Sequence, residues 1–263
     1  MMDKDNDKQF FRYKYLPFGT DKKSLDVIKK GTIKFTCPKD FNDPFDCQPM
    51  SKVMRDVKKS DLYQRLVPDI ELPPAKRIIV RNRLANLIES SITSGLVQEQ
   101  VLNSIGVLSL SKIWNSVLMW SHYAEFHKGF VVGFKYVNTE AVDFIDPYNL
   151  FPVPVKYSED RYVEHYNEQT SRSDAESSLL RKGVSWEYEE EERVLDVSRG
   201  HGIHNYNREL RLHCVIAGAR IEPENYSLLK DAVKTASKEL GRNIKLKQAV
   251  LSKEKFAIEI QKK

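Results

Sequence analysis

Strand-like runs are spread along the whole sequence and alternate irregularly with helical stretches, which argues against both a regular βαβ series and an all-helical bundle. Phe10–Leu16 is rich in aromatics and reads as a strand. Asp21–Gly31 carries apolar Leu25 and Ile28 and ends on a glycine, as a short helix would. A strand at Thr32–Thr36 follows, then an irregular loop at Cys37–Cys47 set by Pro38, Pro44 and an Asn-Asp pair. From about residue 51 to 105 the spacing turns helical and is cut by Pro68, Pro73 and Pro74, which predicts a helical insert. Gly106–Ser111, Asn115–Phe126 and Lys128–Phe134 read as strand, helix and strand. Further strands are expected at Val153–Tyr157, Glu191–Val197, Leu212–Ala217, Ile244–Val250 and Phe256–Ile260, with helices at Asp174–Lys182 and Tyr226–Leu240. The expected class is α+β, with a mixed or antiparallel sheet. One domain is expected over residues 10–263, after a disordered polar N-terminus at residues 1–9.

The densest apolar runs, Cys214–Ala219 and Phe130–Phe134, fall far short of the roughly 18 residues that cross a bilayer. The first residues lack the apolar segment of a signal peptide, so a cytoplasmic protein without membrane contact is expected. Cys37, Cys47 and Cys214 are too few and too scattered for a disulfide framework or a four-ligand zinc site, and read as core thiols. The net charge of +5, from 42 basic and 37 acidic residues, is modest. Basic residues thicken at Lys52–Arg65, Lys76–Arg83 and Lys245–Lys255, which are expected to be solvated faces.

Three segments carry the chemistry. In Trp186–Val197, a strand with Leu195 and Val197 facing inward would also turn Arg193, Glu191 and Glu189 inward, and buried charges need one another or a ligand. In Leu118–Phe130, helical spacing would align Trp120, Tyr123 and His127 as a stripe of rings. His122 and His127 are five apart, which does not suit a helical metal pair, and His201–His204 reads as a mobile loop, so no metal site is expected. In Phe41–Asp46, Asn42 and Asp43 can close a turn that Pro44 stiffens, with Phe41 and Phe45 anchored in the core. Phosphate-loop, dinucleotide and nucleophile-elbow fingerprints are missing.

Tyr13-Lys14-Tyr15, Phe41–Asp46, Leu118–Phe134 and Trp186–Arg193, in this order, resemble a large uncharacterised prokaryotic family, one of the numbered domains of unknown function. A more distant resemblance is to ADP-ribosyltransferases, which split NAD and pass ADP-ribose to a protein or nucleic acid. It pairs Phe11–Tyr15 with that fold's first strand, Leu25–Gly31 with its first helix, and the strand holding Ser109 and Ser111 with its serine strand. Tyr123 falls on the following helix and Glu189-x-Glu191 on the late acidic strand, while Lys14 stands where His or Arg is usual.

The resemblance implies a toxin or phage-defence effector that uses NAD as substrate. Its candidate catalytic groups are Glu191, Glu189, Tyr123 and His122, with Glu191 steadying an oxocarbenium-like centre. The candidate binding residues are Tyr13, Lys14, Tyr15, Asn42, Asp43, Ser109, Ser111, Trp120 and Arg193, with Arg12 or Lys14 on a phosphate. Glu191→Gln is expected to abolish activity and leave the fold intact. Two alternatives remain at this level. One is a non-catalytic nucleotide or nucleic-acid binding module, with salt-sensitive affinity. The other is a structural charge network of Glu189, Glu191 and Arg193, in which loss of any member unfolds the protein.

Overall fold

The structure is a computed structural model and describes residues 9–53, 57–59, 61–67, 72–137, 147–166 and 177–261. Its strands are β1 (Gln9–Leu16), β2 (Thr32–Phe35), β3 (Met50–Val53), β4 (Gly106–Ser111), β5 (Phe130–Val137), β6 (Val153–Pro154), β7 (Lys156–Ser158), β8 (Val163–Tyr166), β9 (Arg181–Gly183), β10 (Glu191–Asp196), β11 (Gly202–Asn205), β12 (Leu212–Ala217), β13 (Lys245–Leu251) and β14 (Ile258–Ile260). Eight of them form one sheet in the order β14-β13-β12-β5-β1-β4-β10-β6. All its neighbours pair antiparallel except β12 with β13. The fold is α+β with a mixed, mostly antiparallel sheet.

Both faces of the sheet are covered, which is why β5 and β12 are nearly continuous apolar runs rather than alternating ones. Phe130, Val132, Phe134 and Tyr136 of β5 pack on one face with Leu229, Ala232, Val233 and Ala236 of the long helix Pro223–Glu239. Val131 and Ile216 face the other way, against Trp120 and Met119 of the helix Val117–Tyr123. The strands separated by most sequence therefore lie side by side at the centre, and the short helix 117–123 sits on the face that carries the candidate site.

Residues 51–105 contain helices at Asp61–Leu66, Pro74–Thr93 and Leu96–Ser104, as the insert predicts. They share a small core of Val57, Tyr63, Ala85, Ile88 and Ile92. The insert also opens with a strand, since β3 pairs parallel with β8. Pro68 and the polar segment 1–8 lie outside the described residues, and the first strand begins at Gln9. Lys76, Arg77 and Arg83 are exposed and Arg81 is half-buried. The three cysteines are buried and free. No helix among the described residues is long and apolar enough to cross a membrane.

Four expectations are corrected. The helix expected at Asp174–Lys182 is a short helical turn at 177–179 followed by β9, which pairs parallel with β7, while residues 174–176 lie outside the described ones. Of His201–His204, read as a loop, Gly202–His204 belong to β11, which pairs with β2 along its length, and only His201 lies at a bend before it. Phe45 does not anchor the core: it is 64% exposed, whereas Phe41 is partly buried. The helix carrying Trp120 ends at Tyr123, so His127 is not on its stripe. Glu125, Phe126 and His127 all take positive φ (50°, 53° and 69°), and this left-handed turn folds the His127 ring back against Trp120 at 6.4 Å.

Candidate functional site

The site grows from a flaw in the sheet. β4 pairs with β10 along its length, yet β1 pairs with β4 at a single position, Tyr13 opposite Ser111. Glu191 is also opposite Ser111, so Tyr13, Ser111 and Glu191 form one row across three strands with side chains on one face. Beyond that row the ladder between β1 and β4 stops. The Lys14 ammonium takes over there, donating to the Ser109 carbonyl at 3.0 Å.

The cleft so formed has a volume of about 340 Å³. It brings together Tyr13, Lys14, Tyr15, Asn42, Ser109, Ser111, His122, Tyr123, Glu189 and Glu191, from strands, a loop and a helix far apart in sequence. Three of the expected residues are elsewhere. Trp120 is fully buried beneath the cleft and its indole N–H donates to the Trp114 carbonyl at 2.7 Å, which is core packing with a satisfied tip. Asp43 closes its own turn by accepting from the Phe45 amide at 2.9 Å and lines an adjoining cavity. Arg193 is 0% exposed, behind Glu191. Arg12 is also committed, in a two-pronged pair with Glu192.

The strand expected through Glu189 begins only at Glu191. Val184–Glu189 is a 3-10 segment, and Glu190 at φ 44° turns the chain so that Glu189 and Glu191 still face the same cleft. Ser111 fixes that turn by donating to the Glu189 carbonyl at 2.6 Å. Val197, expected inside, is 46% exposed, while Glu192 and Asp196 on the other face of β10 are buried.

Lys182, unforeseen from sequence, stands at the centre. Its ammonium donates to Glu189 Oε2 at 2.6 Å and Glu191 Oε2 at 3.1 Å, and Asp46 Oδ2 lies at 3.5 Å. Arg193 clasps both oxygens of Glu191, Nε at 2.8 Å and Nη2 at 3.0 Å, and reaches Asp46 Oδ2 at 2.6 Å. Its remaining donors go to the Leu179 carbonyl and Cys47 Sγ. Tyr123 donates its phenolic proton to Glu189 Oε1 at 2.6 Å, and Asn42 Nδ2 lies 3.3 Å from the same phenol oxygen. His122 pairs with the Tyr188 hydroxyl at 3.0 Å.

These surroundings drive the two glutamates apart. Burial raises Glu189 above the ordinary carboxylate value, and the nearby Lys182 charge only partly opposes it. Burial pushes Glu191 up too, but the Arg193 and Lys182 charges outweigh it and hold it at about 2. Burial lowers Lys14 to about 8, against the pull of Glu191 and Glu189. Lys182 is raised well above its usual value because three carboxylates overcome its desolvation. Carboxylates displaced in opposite directions within one cleft are the arrangement that separates a proton carrier from a fixed charge.

A pH test follows from the Glu191 shift. Its folded pKa is depressed from 4.5 to about 2, so its contribution to stability is fully present above pH 4.5 and is lost as pH falls toward 2. The stability gap between wild type and Glu191→Gln, measured by urea unfolding at several pH values, should narrow over that window. A gap constant down to pH 2.5 would contradict the assignment.

Among the described residues, no group of three or more His, Cys, Asp or Glu side chains is arranged to hold a metal ion. Residues 119–194 match the family model described as "Protein of unknown function (DUF2971)". That region holds Ser121–Tyr123, Lys182 and Glu189–Arg193, and leaves Tyr13–Tyr15 and Phe41–Asp46 outside it. Searches of curated proteins and of solved structures give no match.

Proposed function

We propose that the cleft is the catalytic site of an enzyme that breaks the nicotinamide–ribose bond of NAD and passes ADP-ribose to water or to a nucleophile on a protein or nucleic acid. The observation that supports this most is the pair of carboxylates with opposite proton affinities, Glu189 and Glu191, facing one cleft walled by Tyr13, Tyr123, His122 and Lys14. The C1′–N bond breaks with its electron pair passing to the pyridinium nitrogen, so nicotinamide leaves neutral without a proton donor. The positive charge left on the ribose is offset by Glu191, which is anionic at any physiological pH. The incoming nucleophile bonds to C1′ and releases its proton to Glu189, whose raised pKa suits it to accept one.

The strands paired by resemblance with the first, serine and glutamate strands of ADP-ribosyltransferases are neighbours in the order β1-β4-β10, which supports the reading. Tyr13–Tyr15 and Asn42 complete the same cleft, so the family's functional region extends in this proposal beyond residues 119–194 to these N-terminal segments. Depletion of NAD or modification of an acceptor is chemistry that would serve a toxin or phage-defence role. A second reading, non-catalytic binding of a nucleotide, is favoured by one observation: the oxygens of both glutamates already accept bonds within the protein.

The test is release of nicotinamide from NAD by the folded wild-type chain, followed by chromatography. Release establishes the cleavage. Saturable NAD binding without release replaces the enzyme with the binding module, and neither binding nor release overturns both.

A further inference from the structure

The loop Phe41–Asp46 is shared between two cavities. Asn42 and Asp46 line the cleft described above, while Asp43 and Phe45 line a neighbouring cavity of about 320 Å³. Lys182 belongs to both walls. On one side its ammonium meets the carboxylates of Glu189, Glu191 and Asp46, and on the other it lies 4.9 Å from the centre of the Trp186 ring. The loop and the buried Lys182 therefore stand between the two cavities.

The second cavity has its own chemistry. Phe45 is held out in solvent by a proline-stiffened turn, its ring open to a ligand, with the Arg161 guanidinium 5.4 Å from its centre. Arg181 lies 4.8 Å from the centre of the Tyr162 ring, and its buried Nε–H has no hydrogen-bond partner among the described residues. Trp186 forms another side. Aromatic faces interleaved with guanidinium groups are what a nucleobase and its phosphate require, since the base stacks and the phosphate takes paired donors. The carboxylates of Glu159 and Asp160 also line the cavity and disfavour a bare anion there, whereas they can accept from ribose hydroxyls.

We infer that this second cavity is a subsite for a purine nucleoside monophosphate, the adenosine half of a dinucleotide, with Phe45 as the stacking platform and Arg181 at the phosphate. It rests on the dinucleotide reading for its link to the first cleft, but the subsite can be tested without any cleavage.

The experiment is calorimetric titration of the full chain with AMP, NAD and nicotinamide mononucleotide, for wild type, Phe45→Ala and Arg181→Gln. Phe45 is exposed, so its truncation is not expected to disturb the fold, and a thermal melt checks this. Loss of a base–aromatic stack should weaken AMP and NAD by about tenfold or more. Nicotinamide mononucleotide, which lacks the adenosine half, should move by less than about twofold. Arg181→Gln should weaken AMP, and a parallel titration with adenosine, which lacks the phosphate, should be unchanged. AMP binding that is sensitive to Phe45, with no nicotinamide release from NAD, keeps the subsite and removes the cleavage chemistry. NAD cleavage with equal loss for both nicotinamide ligands, or none for either, removes the subsite and keeps the chemistry. No binding of AMP by the wild type overturns the subsite directly.

Discussion

Replacing Glu191 by glutamine is expected to cost about 3–5 kcal/mol of unfolding free energy, because it removes one partner from a buried ionic cluster. Arg193 is 0% exposed and gives Glu191 two of its donors, and Lys182 gives a third. A carboxamide of the same shape keeps the volume but leaves those cations short of one negative charge, and its NH2 group turns a donor toward a donor. Asp46 alone then faces both. This expected loss departs from the reading in which Glu191→Gln leaves the fold intact, because Glu191 is a wall of the cleft as well as, in the proposed mechanism, its fixed charge. Urea unfolding monitored by circular dichroism measures the loss. A change below about 1 kcal/mol, the size of an exposed pair, would mean that water reaches the cluster and screens it.

The second large effect concerns Glu189. Glu189→Gln is expected to lower the rate of nicotinamide release by a factor of about 10²–10⁴, the usual worth of a positioned general base. Its stability cost should be clearly smaller than that of Glu191→Gln. The glutamine oxygen can still accept from Tyr123 or Lys182, and the cleft side of the residue is not enclosed by a guanidinium. The comparison separates two roles that a single substitution would confuse. A Glu189→Gln protein that melts like wild type and retains more than a tenth of its rate would show that the proton goes elsewhere. One that unfolds as readily as Glu191→Gln would instead support the charge network as purely structural.

Much of this site is legible from local pattern. β1 is rich in aromatic residues, β4 opens on Gly106 and alternates, and β10 runs into the β-leaning Val194-Leu195-Asp196-Val197, so their period of two already puts Tyr13, Tyr15, Ser109, Ser111, Glu191 and Arg193 on common faces. Lys182 is not legible, because Glu-Ser-Ser-Leu-Leu-Arg-Lys is a helix-forming string and only pairing with β7 makes its end a strand. Asp46 and Arg193 are 147 positions apart, and nothing local in either announces the other. The left-handed turn at Glu125–His127 has no glycine or asparagine to signal it, so the helical stripe through His127 reads well and is wrong. Phe45 misleads for the opposite reason. Burial is the safe expectation for a phenyl ring, and its exposure becomes informative only once the adjoining cavity is seen.

The position of β1 at the middle of the sheet also sets an order of assembly. Its partner along the whole of its length is β5, from Gln9 opposite Val137 to Leu16 opposite Phe130. During synthesis, then, β1 leaves the ribosome without a partner and stays so until more than a hundred further residues have emerged. Pairings this distant close large loops and form slowly. The carboxylates of β10 arrive later still, and β12, which covers the other edge of β5, comes after them. A nascent chain halted at residue 194 would hold the cleft's charged groups but leave β5 open along its β12 edge, ready to pair with any passing strand. Production of the folded protein thus depends on β12 following soon after the charged cleft.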